Sequence, residues 1–184
     1  MSAQRALSRL SVLLLVVFAV VAPTPATAGA TWTTGPCKSL EGVTVAVDLT
    51  GAGRSELIVR CAPGNPGNAR TALEQAGLAV HSGDQVGAYD ERNYVCRIEG
   101  LPTAKTDTCA GHQDGKPFWK VWRVGIDPIS WRGTLTDGGP SALRTCPGGL
   151  VGFSHGVGTR QQPNVMTTAP DHIITTPGWL PPTC

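Results

Sequence analysis

The stretch Phe118-Trp119-Lys120-Val121-Trp122-Arg123-Val124 constrains the fold more than any other part of this chain. Successive side chains of an extended strand point to opposite faces, so Phe118, Lys120, Trp122 and Val124 share one side and Trp119, Val121 and Arg123 the other. Only 5% of the residues are aromatic, and three of the five tryptophans lie either here or in the stretch Ile129-Ser130-Trp131-Arg132-Gly133 that follows. Large aromatic surfaces are stabilised by burial. A strand that carries a tryptophan on each face is therefore covered on both sides, or keeps one face for a ligand.

The rest of the chain reads as short strands and turns, because 23 glycines and 15 prolines interrupt it too often for long helices. Val43-Thr44-Val45-Ala46-Val47-Asp48-Leu49 is β-branched and alternating, which predicts a first strand. Thr50 to Gly53 turns the chain, and Glu56 to Cys61 returns as an antiparallel partner. Asn68 is placed to cap a short helix over Ala69 to Ala76, ended by Gly77, with Ala69, Ala72, Leu73 and Ala76 on one face. Leu78 to Val80 resumes extended structure, His81 to Arg92 reads as a loop, and Asn93 to Ile98 as a strand ended by Gly100-Leu101-Pro102. After the aromatic strand, Asp127-Pro128 is a turn, Ile129 to Leu135 a returning strand and Asp137-Gly138-Gly139-Pro140 a break. Gly148 to Ser154 forms one last strand. Beyond it, Pro163, Pro170, Pro177, Pro181 and Pro182 predict an extended, weakly structured tail.

Residues 1–28 read as a signal peptide, with Arg5 and Arg9 ahead of the apolar run Leu10 to Ala22 and a small-residue site at Ala26-Thr27-Ala28. A spanning helix needs about 20 apolar residues, so the expectation is export and, after cleavage, no membrane association. Without Arg5 and Arg9 the fifteen Lys and Arg fall to thirteen, equal to the thirteen Asp and Glu. A balanced chain with no basic stripe argues against a nucleic-acid partner.

Cys37, Cys61, Cys96, Cys109, Cys146 and Cys184 all follow the signal segment. An even count in an exported chain, with no C-x-x-C and no Cys/His cluster, predicts disulfides and no metal site. Six cysteines allow 15 pairings, of which pairing along the chain, Cys37 with Cys61, Cys96 with Cys109 and Cys146 with Cys184, is the simplest. His81, His112, His155 and His172 are too scattered to suggest a metal centre. Gly152-Phe153-Ser154-His155-Gly156 fits the G-x-S-x-G nucleophile pattern, with Asp171 and His172 downstream. That pattern works through a strained strand-to-helix turn, and Gly158, Pro163 and Pro170 leave no helix to follow. A secreted serine hydrolase acting through Ser154 is thus the weaker alternative, and no enzyme activity is expected.

The order of elements, strand, turn, strand, short helix and several further strands, is that of an α+β, β-grasp-like mixed sheet holding one short helix, disulfide-stabilised, with a Pro/Gly-rich C-terminal tail. The succession Val43 to Asp48, Ala72 to Leu78, Cys96-Arg97-Ile98-Glu99-Gly100-Leu101-Pro102, Phe118 to Trp122 and Gly149-Leu150-Val151-Gly152-Phe153 resembles the transcobalamin C-terminal-like domain family, specifically its small exported bacterial single-domain members. Residues 37–156 would form that domain and 157–184 the tail. The arginines of Trp122-Arg123 and Trp131-Arg132 depart from the family pattern, which often has aromatic or small residues there.

In the cobalamin carriers this domain closes over one face of the corrin. The resemblance therefore implies an extracellular module that binds a small molecule, a corrinoid among the candidates, or a cell-surface component; a purely structural surface protein is the other reading. The helix offers only Leu73 and alanines, so Trp122, with Phe118 and Val124, is expected on the helix side. Trp119 would then lie on an open face, and Trp119, Val121, Arg123, Trp131 and His155 are the candidate ligand-binding residues.

Overall fold

The computed structural model describes residues 31–82, 94–109, 115–124, 129–133, 139–157, 166–177 and 179–182. The segment read as a signal peptide, the Asp127-Pro128 turn and Cys184 lie outside the described residues. Eight strands are present among those described: β1 (Thr33–Thr34), β2 (Gly42–Asp48), β3 (Leu57–Pro63), β4 (Val80–Ser82), β5 (Val95–Ile98), β6 (Pro117–Val124), β7 (Trp131–Gly133) and β8 (Leu150–Val157). Three short α-helices accompany them, α1 (Ala69–Gln75), α2 (Gly139–Ala142) and α3 (Pro170–Ile173).

Six strands form one mixed sheet in the order β1-β3-β2-β8-β6-β7, and β4 pairs with β5 apart from it. The alternating β2 folds back on β3 as an antiparallel hairpin through a 3-10 turn at Thr50–Ala52. Its other edge pairs in parallel with β8, and β8 pairs antiparallel with β6. All seven β2 residues are buried, as expected of a central strand.

Helix α1 follows from its sequence. Asn68 Oδ1 accepts from the Thr71 N–H at 2.9 Å, satisfying one orphan donor of the first turn. Arg60 Nη1 donates to the Ala76 and Gly77 carbonyls at the other end, where a cation complements the helix dipole. Ala69, Ala72, Leu73 and Ala76 are fully buried against the sheet. The helix therefore sits close on Val43, Val45, Val47 and Leu49, in a core that also takes in Val151 and Phe153.

Trp119 and Val121 belong to this helix-side core, whereas Trp122 and Val124 belong to a second core on the opposite face. The expected assignment of faces is thus reversed. Cross-strand register is the cause: Trp119 stands opposite His155 and Val121 opposite Phe153, and Phe153 in turn neighbours Val47. Directly paired residues share a face, so the side of Trp119 is the side of the β2 valines that α1 covers.

The second face is covered too, which the reading of a weakly structured tail did not anticipate. Met166, Ile173, Ile174 and the half-buried Trp179 pack there on Ala46, Trp122, Val124, Leu150 and Trp131. Polar anchors fix this C-terminal strap: Trp131 Nε1 donates to the Thr168 carbonyl at 2.7 Å, Trp179 Nε1 to the Gly148 carbonyl at 3.2 Å, and Thr167 binds Asp48. Pro170 opens α3, where its missing N–H costs nothing.

Smaller differences have local causes. His81 and Ser82 are not loop but part of β4, paired with β5. Gly139 and Pro140 begin α2 rather than only breaking the chain. Cys37–Cys61 and Cys96–Cys109 are disulfides, and Cys146 is disulfide-bonded as well. Such bonds persist in an oxidising, extracellular type of compartment. No helix among the described residues is long and apolar enough to cross a membrane.

Candidate functional site

The residues predicted to bind a ligand do not converge. Trp119, Val121 and His155 lie on the helix side and are buried, while Trp131 is half-buried on the strap side. Of the five, Arg123 alone is exposed. What the fold does bring together are two buried polar constellations, one on each face, and an exposed cationic pair at the β6–β7 edge.

On the helix side, His155 is only 7% exposed, and its ring centroid lies 5.2 Å from that of Trp119. Its Nδ1 is 3.0 Å from the Gly51 carbonyl oxygen, which can only accept, so Nδ1 carries the proton. Nε2 is buried with no hydrogen-bond partner among the described residues. Trp119 Nε1 donates to the Leu101 carbonyl at 3.2 Å. These side chains are locked in packing, with one nitrogen left over.

On the strap side, Asp48, Ser154 and Lys120 form a row across β2, β8 and β6, Ser154 being the register partner of both others. All three are buried. Asp48 accepts from the Thr167 N–H at 2.9 Å, the Thr167 hydroxyl at 2.6 Å and the Thr50 N–H at 2.9 Å. Burial pushes this carboxyl up, but the hydrogen bonds from Thr167 and Thr50 outweigh it and hold the pKa below the ordinary 3.8. Lys120 has no carboxylate partner among the described residues, and burial pushes its ammonium below the ordinary 10.5.

Ser154 accepts from Trp122 Nε1 at 2.8 Å and lies inside the extended β8, as do Gly152 and Gly156. The pentapeptide is therefore strand and not the sharp turn that exposes a nucleophile. Gly152 has a packing role: a Cβ there would come within 2.9 Å of the Trp131 ring. Asp171 and His172 sit in α3 within the strap.

Donor atoms of Cys96, Asp107 and Cys109 lie within 4.8 Å of one another, the spacing of a metal cluster. The two sulfurs are bonded to each other, and Asp107 Oδ1 accepts from the Cys109 N–H at 2.7 Å, so this cluster is a disulfide-stabilised turn. The feature that sequence reasoning missed is the register pairing of Arg123 with Arg132. Both arginines stood out as departures from the family pattern, but their pairing depends on how β7 aligns with β6. Comparison with family models, curated proteins and solved structures finds no match to this chain.

Proposed function

We propose that this chain is an exported, non-enzymatic module of β-grasp type, similar to the transcobalamin C-terminal-like domains. In this reading residues 1–28 direct secretion, and the mature protein binds a small molecule, a corrinoid among the candidates, or a component of the cell surface. The observation that carries it is the pairing of β2 with β8, parallel at the sheet centre, with the β2–β3 hairpin on one side, β6 on the other and a single helix lying across one face. That order and those directions support the β-grasp reading. Two well-filled cores and two disulfides support a rigid platform whose surface and edges, rather than an enclosed cleft, meet the partner.

The reading is tested with the mature oxidised protein by tryptophan-fluorescence titration against cobalamin, cobinamide and a panel of cell-wall fragments. Saturable quenching by one of these is the expected result. No response to any of them would favour a purely structural surface protein. A fluorophosphonate probe addresses the hydrolase alternative: Ser154, buried and hydrogen-bonded by Trp122, should remain unlabelled.

A further inference from the structure

Arg123 on β6 and Arg132 on the edge strand β7 are direct cross-strand partners. Paired positions place the two Cβ atoms about 5 Å apart on one face of the sheet, and like charges so placed are destabilising. Both side chains are exposed. Among the described residues neither has a hydrogen bond or ion pair, the ion pairs there being Arg54–Glu56 and Arg70–Glu74. No acidic residue occurs in either strand. Lys120 brings a third cation to the same edge from the opposite face: a Cβ on Gly133 of β7 would meet its Cε at 3.1 Å. Since the whole chain has 15 Lys and Arg against 13 Asp and Glu, this is a local concentration and not a reflection of overall charge.

Two guanidinium forks that share a face and lack an acidic partner among the described residues leave their donors to an outside acceptor. Each fork matches two acceptor oxygens. A carboxylate, with two oxygens, satisfies one fork; a phosphoryl group has enough oxygens to engage both. We propose that Arg123 and Arg132 form a docking site for a phosphoryl group with at least three unesterified oxygens, either free phosphate or a phosphate monoester. This rests on the reading of the chain as a binding module and names the chemical class that its exposed edge takes.

The test uses the mature oxidised protein, its Arg123→Thr and Arg132→Thr variants, and the double variant. Threonine suits a strand, and loss of the like-charge contact should leave the variants melting at or above the wild-type temperature in chloride. Inorganic phosphate, compared with chloride at equal ionic strength, should raise the wild-type melting temperature saturably. At least tenfold more phosphate should be needed for the same rise in each single variant, and the double variant should not respond. Equal shifts in the wild type and the double variant would mean a general salt effect and overturn the proposal. An absent wild-type shift, or an equal response to acetate, would overturn it as well. Tighter binding of glycerol phosphate, a monoester, than of free phosphate supports the monoester source, and the reverse order supports the free ion. Quenching by cobalamin or cell-wall fragments that persists in Arg132→Thr would leave the binding-module reading intact if this site fails.

Discussion

Replacing Asp48 tests how the C-terminal strap is held. This carboxylate is 2% exposed and accepts three hydrogen bonds, two from Thr167 in the strap and one from the N–H of Thr50. Hydrogen bonds to a charged group contribute about 1.5–3 kcal/mol each, which for three gives about 4–5 kcal/mol at the low end. Thr50 and Thr167 are exposed residues whose donors can turn to water once released, so Asp48→Ala should cost about 3 kcal/mol by this accounting. Asp48→Asn keeps one acceptor oxygen but aims an amide donor at other donors, for a cost of about 1.5–2 kcal/mol.

The pH dependence follows from the direction of the shift. A carboxyl whose folded pKa is depressed binds protons more readily in the unfolded chain, so its contribution is fully present above the unfolded value of about 3.9 and is lost as pH falls through the lower folded value. Urea unfolding at pH 7, 5 and 3, followed by tryptophan fluorescence, measures this directly. Wild type should lose more stability than Asp48→Asn between pH 5 and pH 3, since asparagine does not titrate. Hydrogen exchange at the Thr167 amide should accelerate in both variants more than exchange at core amides of β2. An Asp48→Ala protein within about 1 kcal/mol of wild type at pH 7, against the 3 kcal/mol worked above, would refute the clasp. So would a wild type and Asp48→Asn that lose stability in parallel below pH 5.

Trp119→Ala and Trp122→Ala should each cost about 3–5 kcal/mol in chemical unfolding, because both rings are buried in filled cores, one on each face. The chain-entropy estimate gives about 3.4 kcal/mol for Cys37–Cys61, at a sequence separation of 24, and about 2.9 kcal/mol for Cys96–Cys109, at a separation of 13. Paired alanine variants should therefore rank in that order, and intact mass of the oxidised protein without reductant should be six hydrogens below the thiol form. Gly51→Ala should cost about 1–3 kcal/mol as overpacking, since a Cβ there would overlap the His155 carbonyl; a melting temperature equal to wild type would show that the turn yields freely.

Much of the architecture was legible in the chain because it depends on local chemistry. The β-branched alternation from Val43 to Val47, the cap at Asn68 and the small-residue face of α1 each act over a few residues, and each stands in the structure where its pattern predicts. The period-two spacing likewise determined that Trp119 and Trp122 occupy opposite faces. Which tryptophan meets the helix was another matter. That depends on β6 aligning with β8 so that Trp119 stands opposite His155 and Val121 opposite Phe153, residues more than thirty positions away.

The same limit explains the strap and the candidate site. From Pro170 onward the prolines accompany only the short α3 among the described residues, but proline content says nothing of a distant apolar surface. Ile173 and Ile174 become core only because Trp122, Leu150 and Trp131 leave that face to be covered, and Thr167 is held only because Asp48 presents a carboxylate there. Arg123 and Arg132 are nine positions apart in a chain of formal net charge +2, and their sequence reveals two ordinary cations. The antiparallel register of β6 with β7 sets them side by side. Local preference and alternation are properties of the chain itself, whereas register, face and charge proximity arise only when distant segments pack.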